Sequence, residues 1–200
     1  MNGRLFLTGP DADQATLLQN AGLLPEDALG RPWLTPLLRG YLLLEKGLAA
    51  DLAKDGRPSV CARGCDECCH QPIPVTPPEI LGMALYLKRQ SLPEPERRAL
   101  ADGCVFLENG ACLVYPLRPI ACRRYMIFER RCAPGEHPAI SRPADVLWPS
   151  THALLHVLQE TTVYYEHHGL LPKRAKPDMA FFQSRTLLLH EVDWPALGKE

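Results

Sequence analysis

Cys61-Ala-Arg-Gly-Cys65-Asp-Glu-Cys68-Cys69 places four cysteines within nine residues. The other four are Cys104, Cys112, Cys122 and Cys132, so all eight fall between positions 61 and 132 of a 200-residue chain. Unpaired cysteine is ordinarily a scattered, buried small hydrophobe, and crowding of this kind needs another cause. Thiolates at short spacing are what a soft metal ion or an iron–sulfur cluster requires. Cys65-x2-Cys68 has the two-residue gap with which a tight loop turns both sulfurs toward one ion. Read as a helix, the four would share one face at i, i+4, i+7 and i+8. Gly64 within the stretch and Pro72 just beyond it predict a mixed loop and turn instead. Neighbouring side chains diverge, so one of the vicinal pair Cys68-Cys69 serves a second site, bridges, or stays unligated; a strained vicinal disulfide is the redox alternative. Two four-ligand sites, one cluster with spare cysteines, and a binuclear thiolate centre all accommodate eight thiols.

Outward from the cysteines, twenty prolines punctuate the chain. Thr35-Pro36 predicts a helix start, with a helix to about Lys54 ended by Asp55-Gly56. Its Leu37, Leu38, Tyr41, Leu44, Leu48 and Leu52 keep helical spacing. Thr76-Pro-Pro-Glu79 reads as a capping box opening a helix through Leu87. A shorter helix is predicted over 94–101. Cys104-Val-Phe-Leu and Ala111-Cys-Leu-Val-Tyr115 flank Asn109-Gly110, the strongest short hairpin signal, which pairs Leu107 with Cys112. Arg118-Pro119 begins another short helix and puts Cys122 in or near its first turn. After the loop 133–138, helices are predicted over about 144–168, interrupted at Pro149, and over 178–192. The fold class is therefore mostly α with a small β-hairpin, an irregular α+β arrangement with cysteine loops between helices. We expect a single domain over 1–200, with a cysteine core at 58–132 flanked by helical segments at 11–55 and 144–192.

Composition narrows the function classes. The formal net charge is −1, which argues against a nucleic-acid stripe or a polybasic membrane face. Arg118, Arg123, Arg124, Arg130 and Arg131 lie beside the later cysteines and offer charge compensation for thiolates. The first ten residues lack a signal-peptide pattern, and the longest apolar run, near Tyr41-Leu-Leu-Leu44, is too short for a bilayer. The expected location is the cytoplasm, where clustered cysteines mean metal or redox chemistry more often than disulfides. No P-loop, G-x-G-x-x-G or G-x-S-x-G pattern occurs.

Cys61-x3-Cys65-x2-Cys68 also has the spacing of the radical-SAM cluster loop. Glu67 stands where an aromatic usually precedes the third cysteine, and the strand–helix alternation of a partial barrel is absent. The whole pattern instead resembles the YkgJ-like cysteine-cluster family, the zinc- or iron-chelating CxxCxxCC domain. It runs Cys61-x3-Cys65-x2-Cys68-Cys69, a proline-rich entry to a helix, Cys104-x7-Cys112-x2-Tyr115, then Arg118-Pro119-x2-Cys122-Arg123-x-Tyr125. The resemblance covers about 58–126 and maps seven motif cysteines, leaving Cys132 outside. It implies a metallocentre and supplies no substrate; the family carries both zinc and iron–sulfur oxidoreductase labels, and a similar motif is associated with flagellin lysine methylases.

The expected metal ligands are thus Cys61, Cys65, Cys68, Cys69, Cys104, Cys112, Cys122 and Cys132. Arg118 and Arg123 are expected to bind the cofactor by donating to sulfur, since four thiolates on zinc or on a 4Fe–4S core leave net negative charge. Tyr115 and Tyr125 read as core. His70 follows the double cysteine but is not needed as a donor; His152 and His156 read as an exposed helix face, and His167-His168 as a helix C-terminus. The expected cofactor is an iron–sulfur cluster, of the 4Fe–4S type, or Zn2+. The leading function is redox or electron transfer; the alternatives are a structural zinc module that binds a protein partner, and a group-transfer enzyme built around the centre.

Overall fold

The structure, a computed structural model, describes residues 12–62, 64–124 and 126–197. Tyr125 and the first ten residues lie outside them. About half of the chain is helical, and the strands are short antiparallel pairs, as the sequence predicts. The helical framework starts with α1 (Gln14–Asn20), α2 (Leu34–Asp55) and α3 (Pro77–Arg89). Single turns α4 (Ile120–Arg123) and α5 (Pro138–Ser141) follow, then α6 (Thr151–Glu160), α7 (Thr162–His167), α8 (Met179–Gln183) and α9 (Trp194–Leu197).

The 22-residue α2 is the spine, packed against α1, α3, α4 and α6. Leu34, Leu37, Leu38, Tyr41, Leu44 and Leu48 are buried along it, and Leu52 is half-buried. Burying each such side chain contributes about 1.5–3 kcal/mol. The predicted start at Thr35-Pro36 is one turn's edge too late: Trp33 precedes the helix and Pro36 sits inside the first turn. Pro36 is tolerated there because its missing N–H has no intrahelical partner in any case. Starting earlier also buries Leu34. The helix ends as predicted, at Gly56 in the left-handed conformation.

At the start of α3 the predicted box is present in its carboxylate half. Glu79 Oε2 accepts from Thr76 N at 2.8 Å and from Thr76 Oγ1 at 2.7 Å. The hairpin also forms in the predicted register, with β2 (Leu107–Glu108) paired to β3 (Ala111–Cys112) and Leu107 opposite Cys112. Asn109 and Gly110 have φ of 49° and 70°, the two positive values a type I′ turn demands.

Three expectations fail. The helix over 94–101 reduces to one 3-10 turn, Leu100–Asp102; Pro95 disfavours helical backbone at Glu94, and the charged run offers no apolar face. The run from 144 opens not as a helix but as a 3-10 turn and strand β5 (Val146–Leu147), paired with β4 (Met126–Ile127). The run over 178–192 is α-helical only in α8, with a 3-10 turn at Leu189–Glu191, because β6 (Leu187–Leu188) pairs with β1 (Pro74–Val75). Two-residue strands carry no periodic signal, and each is fixed by a partner far along the chain. These pairings fold the segments on either side of the cysteines back onto them.

Candidate metal centre

The thiols stand in two neighbourhoods. Cys69, Cys104, Cys112 and Cys122 line the hydrophobic core, with Cys104 itself buried. The 3-10 turn Glu67–His70 carries Cys68 and Cys69, the stretch leading into the hairpin carries Cys104, β3 carries Cys112 and α4 carries Cys122. Cys68 joins this inner group, since its charge acts on Cys69, Cys104 and Cys122. The contact between these vicinal thiols lowers Cys68 against the effect of burial and, together with burial, raises Cys69. Burial, then the charge of Cys104, raises Cys112 to about 11. Burial is also the leading cause that raises Cys104 and Cys122, and the charges of Cys68, Cys104 and Cys112 all press on Cys122.

Cys61, Cys65 and Cys132 make the outer group. Cys61 is exposed, and the other two are half-buried. Burial, followed by the charge of Cys65, raises Cys132 to about 11, with Cys61 adding to it. Burial and then Cys61 raise Cys65, on which Cys68 also acts. Cys65 is therefore the link between the groups.

Two buried carboxylates position the inner thiols. Glu79, beyond its bonds to Thr76, accepts the Ile120 N–H on Oε1 at 2.6 Å. Ile120 is the first residue of α4, so one side chain ties the start of α3 to the turn that holds Cys122. Burial pushes Glu79 above the usual carboxylate range. Glu45, on α2, accepts from the Arg118 guanidinium at 3.3 Å and from that of Arg123. Arg123 donates further to the carbonyls of Arg118 and Pro116 and lies over the Tyr41 ring. Arg118 stacks on Tyr115, which is half-exposed rather than core. The hydrogen bonds of the two arginines thus go to Glu45 and backbone carbonyls. Their charges still act on the inner sulfurs: Arg118 lowers Cys68, Cys112 and Cys122, and Arg123 lowers Cys112.

Glu45 was not legible as a site residue, although its signal exists: it shares the apolar helix face of Tyr41, Leu44 and Leu48. His70 is steered away from free rotation by Ala101, whose carbonyl lies 3.1 Å from Nδ1. Gly103, with φ of 91°, keeps that packing open, since a Cβ would stand 3.1 Å from His70 Cε1 and 3.0 Å from Leu107 Cδ2. His152 and His156 are exposed on α6, and His168 caps α7, as expected.

Thiols are the right donor type for zinc, iron or an iron–sulfur cluster. Their fit is one of chemistry and neighbourhood. Among the described residues, no three His, Cys, Asp or Glu side chains already stand at the spacing that encloses an ion. Two cavities border these groups, of about 30 Å³ beside Tyr41, Glu45 and Arg123 and of about 10 Å³ beside Cys104 and His190. Each has room for a water at most. No helix among the described residues is long and apolar enough to cross a membrane.

Comparison with known proteins agrees with the pattern of thiols. Residues 60–140 match the family model described as "CxxCxxCC: Putative zinc- or iron-chelating domain". The matched span runs past the resemblance read from sequence and takes in Cys132. Neither a curated protein nor a solved structure matches the chain.

Proposed function

We propose that the CxxCxxCC domain of residues 60–140 holds an iron–sulfur cluster on its inner thiols and serves in redox or electron transfer. The supporting observation is that Cys69, Cys104, Cys112 and Cys122 pack in or against the hydrophobic core, with Cys68 near enough for its charge to act on Cys69, Cys104 and Cys122. A cluster takes four thiolates, and Cys68, Cys104, Cys112 and Cys122 are the set we assign. Cys69, next to Cys68 on the same turn, is the spare donor. A bound cluster would supply one-electron transfer in a shielded, low-dielectric setting. The chain's own part is to hold the thiols, exclude water with Phe106, Val114 and Leu117, and offset thiolate charge with Arg118 and Arg123. Burial keeps most of these thiols protonated without metal, so their protons leave for solvent as ligation proceeds.

Zinc in the same four positions is the competing reading and would make the domain a structural module. The deciding experiment is metal and sulfide analysis of anaerobically purified full-length protein, read with its visible spectrum. Brown protein containing iron and sulfide, with both lost in Cys122→Ser, is the expected result. Colourless protein with stoichiometric zinc sinks the iron–sulfur reading.

A further inference from the structure

The turn between α7 and α8 is basic and open. Lys173, Arg174 and Lys176 are exposed, and no carboxylate lies between Glu166 and Asp178. Both flanking carboxylates are bonded to backbone: Glu166 Oε1 accepts the Arg174 N–H at 2.7 Å, and Asp178 accepts the Phe181 N–H at 3.0 Å at the start of α8. None of the three cations makes an ion pair among the described residues. Three fixed positive charges thus stand close together in a chain of formal net charge −1. The turn also holds one conformation. The Leu170 N–H donates to the Tyr165 carbonyl at 2.8 Å, and the Ala175 N–H to that of Pro172 at 3.1 Å. Leu171 packs against the hydrophobic core and Pro177 is buried, which pins both ends. Leu170, beside Leu171, is 55% exposed. Arg174 has φ of 63°, a left-handed backbone that glycine or asparagine adopts at less cost. Local strain of this kind is spent where a side chain is needed in a particular place, and here it sets a guanidinium outward among two lysines.

We propose that this turn, residues 168–176, is a docking surface for an acidic segment of a partner protein, with Leu170 as its apolar anchor and Lys173, Arg174 and Lys176 as its charged rim. The number of cations decides among polyanions. A nucleic-acid stripe engages about 6–10 phosphates, and a polybasic membrane segment presents about 4–8 Lys or Arg. Three cations around one leucine suit carboxylates spaced along a single segment, with an apolar residue between them. Charge complementarity of this kind steers the encounter and fixes orientation more than it adds affinity. The turn grows from α7, whose Tyr165 belongs to the core that Cys69, Cys112 and Cys122 pack against. A partner seated there is held on the same body as the inner thiols, and the inference does not depend on which metal they bind.

The test uses full-length protein as purified and a synthetic peptide of glutamate and leucine as the probe, followed by amide NMR shifts at low salt. The shifts should centre on residues 168–176. Binding should weaken about tenfold in Lys173→Glu/Lys176→Glu. It should hold in Lys88→Glu/Arg97→Glu, the same change of charge at exposed positions elsewhere. Leu170→Ser should weaken the leucine-containing peptide several-fold more than an all-glutamate one. Arg174→Gly should weaken binding while the denaturation midpoint stays level or rises, because glycine relieves the left-handed backbone. A lower midpoint there would mean that Arg174 is a packing residue, and would remove it from the rim. Should Lys173→Glu/Lys176→Glu fail to fold, Lys173→Gln/Lys176→Gln is the second variant, expected to weaken binding several-fold. Shifts centred elsewhere, or a folded double variant that binds like wild type, overturn the docking surface. Tighter binding of short single-stranded DNA, or of vesicles of phosphatidylcholine and phosphatidylserine in equal parts, overturns the choice of a protein partner.

Discussion

The inner wall with Cys104, Cys112 and Cys122 and the outer edge with Cys61, Cys65 and Cys132 are held by different forces. The wall rests on fully buried side chains such as Phe106, Val114 and Leu117 and on two carboxylates, Glu45 and Glu79, that are each 2% exposed. The edge rests on hydrogen bonds and ion pairs centred on Glu136, whose partner Arg130 is largely exposed. Apolar packing with buried charge is insensitive to salt and intolerant of substitution. A surface network is screened by salt, and its members can be exchanged at small cost. One domain thus sets five thiols in a rigid frame and three in a frame that solvent conditions can loosen.

The comparison breaks most visibly at Glu45. Glu45→Ala leaves Arg123, 4% exposed, without its carboxylate. Orphaning one partner of a buried pair costs about 3–5 kcal/mol. We expect that loss in chemical denaturation, together with loss of metal from the inner wall. A stability within about 0.5 kcal/mol of wild type would mean that Arg123 is not a buried charge in need of Glu45.

Glu79→Ala comes next. Three donors, the Thr76 N–H and hydroxyl and the Ile120 N–H, lose their acceptor. At about 1 kcal/mol or more for each buried group left unmet, the expected cost is about 3 kcal/mol. The more telling readout is local: amide exchange should quicken in α4, which Glu79 anchors from a distance, as well as at the start of α3. Faster exchange at α3 alone would reduce Glu79 to a helix cap.

These two carboxylates also mark the limit of what sequence discloses. The capping box at Thr76 and the type I′ turn at Asn109-Gly110 are local, with all their determinants within four residues, and both appear where their residues place them. That Glu79 also accepts from Ile120, 41 residues on, depends on how two elements dock, which no local pattern contains. The division of the thiols has the same origin. Cys65-x2-Cys68 reads as one metal-binding loop, yet the chain turns between them, and β4 and the loop behind it draw Cys61 and Cys65 toward Cys132. The strands responsible are two residues long and pair with distant segments, so their sequence carries no period of its own.

Thiol chemistry sharpens the comparison further. In metal-free, reduced protein Cys68 is lowered below the ordinary thiol value, whereas burial first of all raises Cys112 and Cys132, both to about 11. Thiolate is the reactive species, although a lowered pKa also dulls its nucleophilicity. Brief treatment with iodoacetamide and peptide mapping should label Cys68 at least about tenfold faster than Cys132, despite the more open setting of Cys132. Equal labelling would show that Cys69 does not lower the Cys68 thiol in solution. Cys69→Ser should slow Cys68 labelling, because a hydroxyl is a weaker partner for the large, diffuse sulfur anion.

The smallest effect belongs to Glu136, and it separates edge from wall by pH. Its carboxylate is held far below the ordinary range, first by the Arg130 hydrogen bonds and then by the Ala133 N–H, with Arg142 and Ser141 adding to them. A carboxyl with a depressed folded-state pKa stabilises fully above its unfolded value, about 4.3 for Glu, and loses that contribution as pH falls toward the folded value. In metal-free protein, the amide signals of residues 130–142 should therefore begin to shift and broaden below about pH 4, while those of α2 stay fixed. Raised salt at neutral pH should act in the same direction, more weakly, by screening the Arg130 and Arg142 pairs. Glu136→Gln should reproduce the loosened loop at neutral pH and abolish its acid response. If the loop in that variant still loosened with acid at the same pH, the restraint would lie with Asp145, which holds the Glu129 N–H and Arg142 from the other side of the loop.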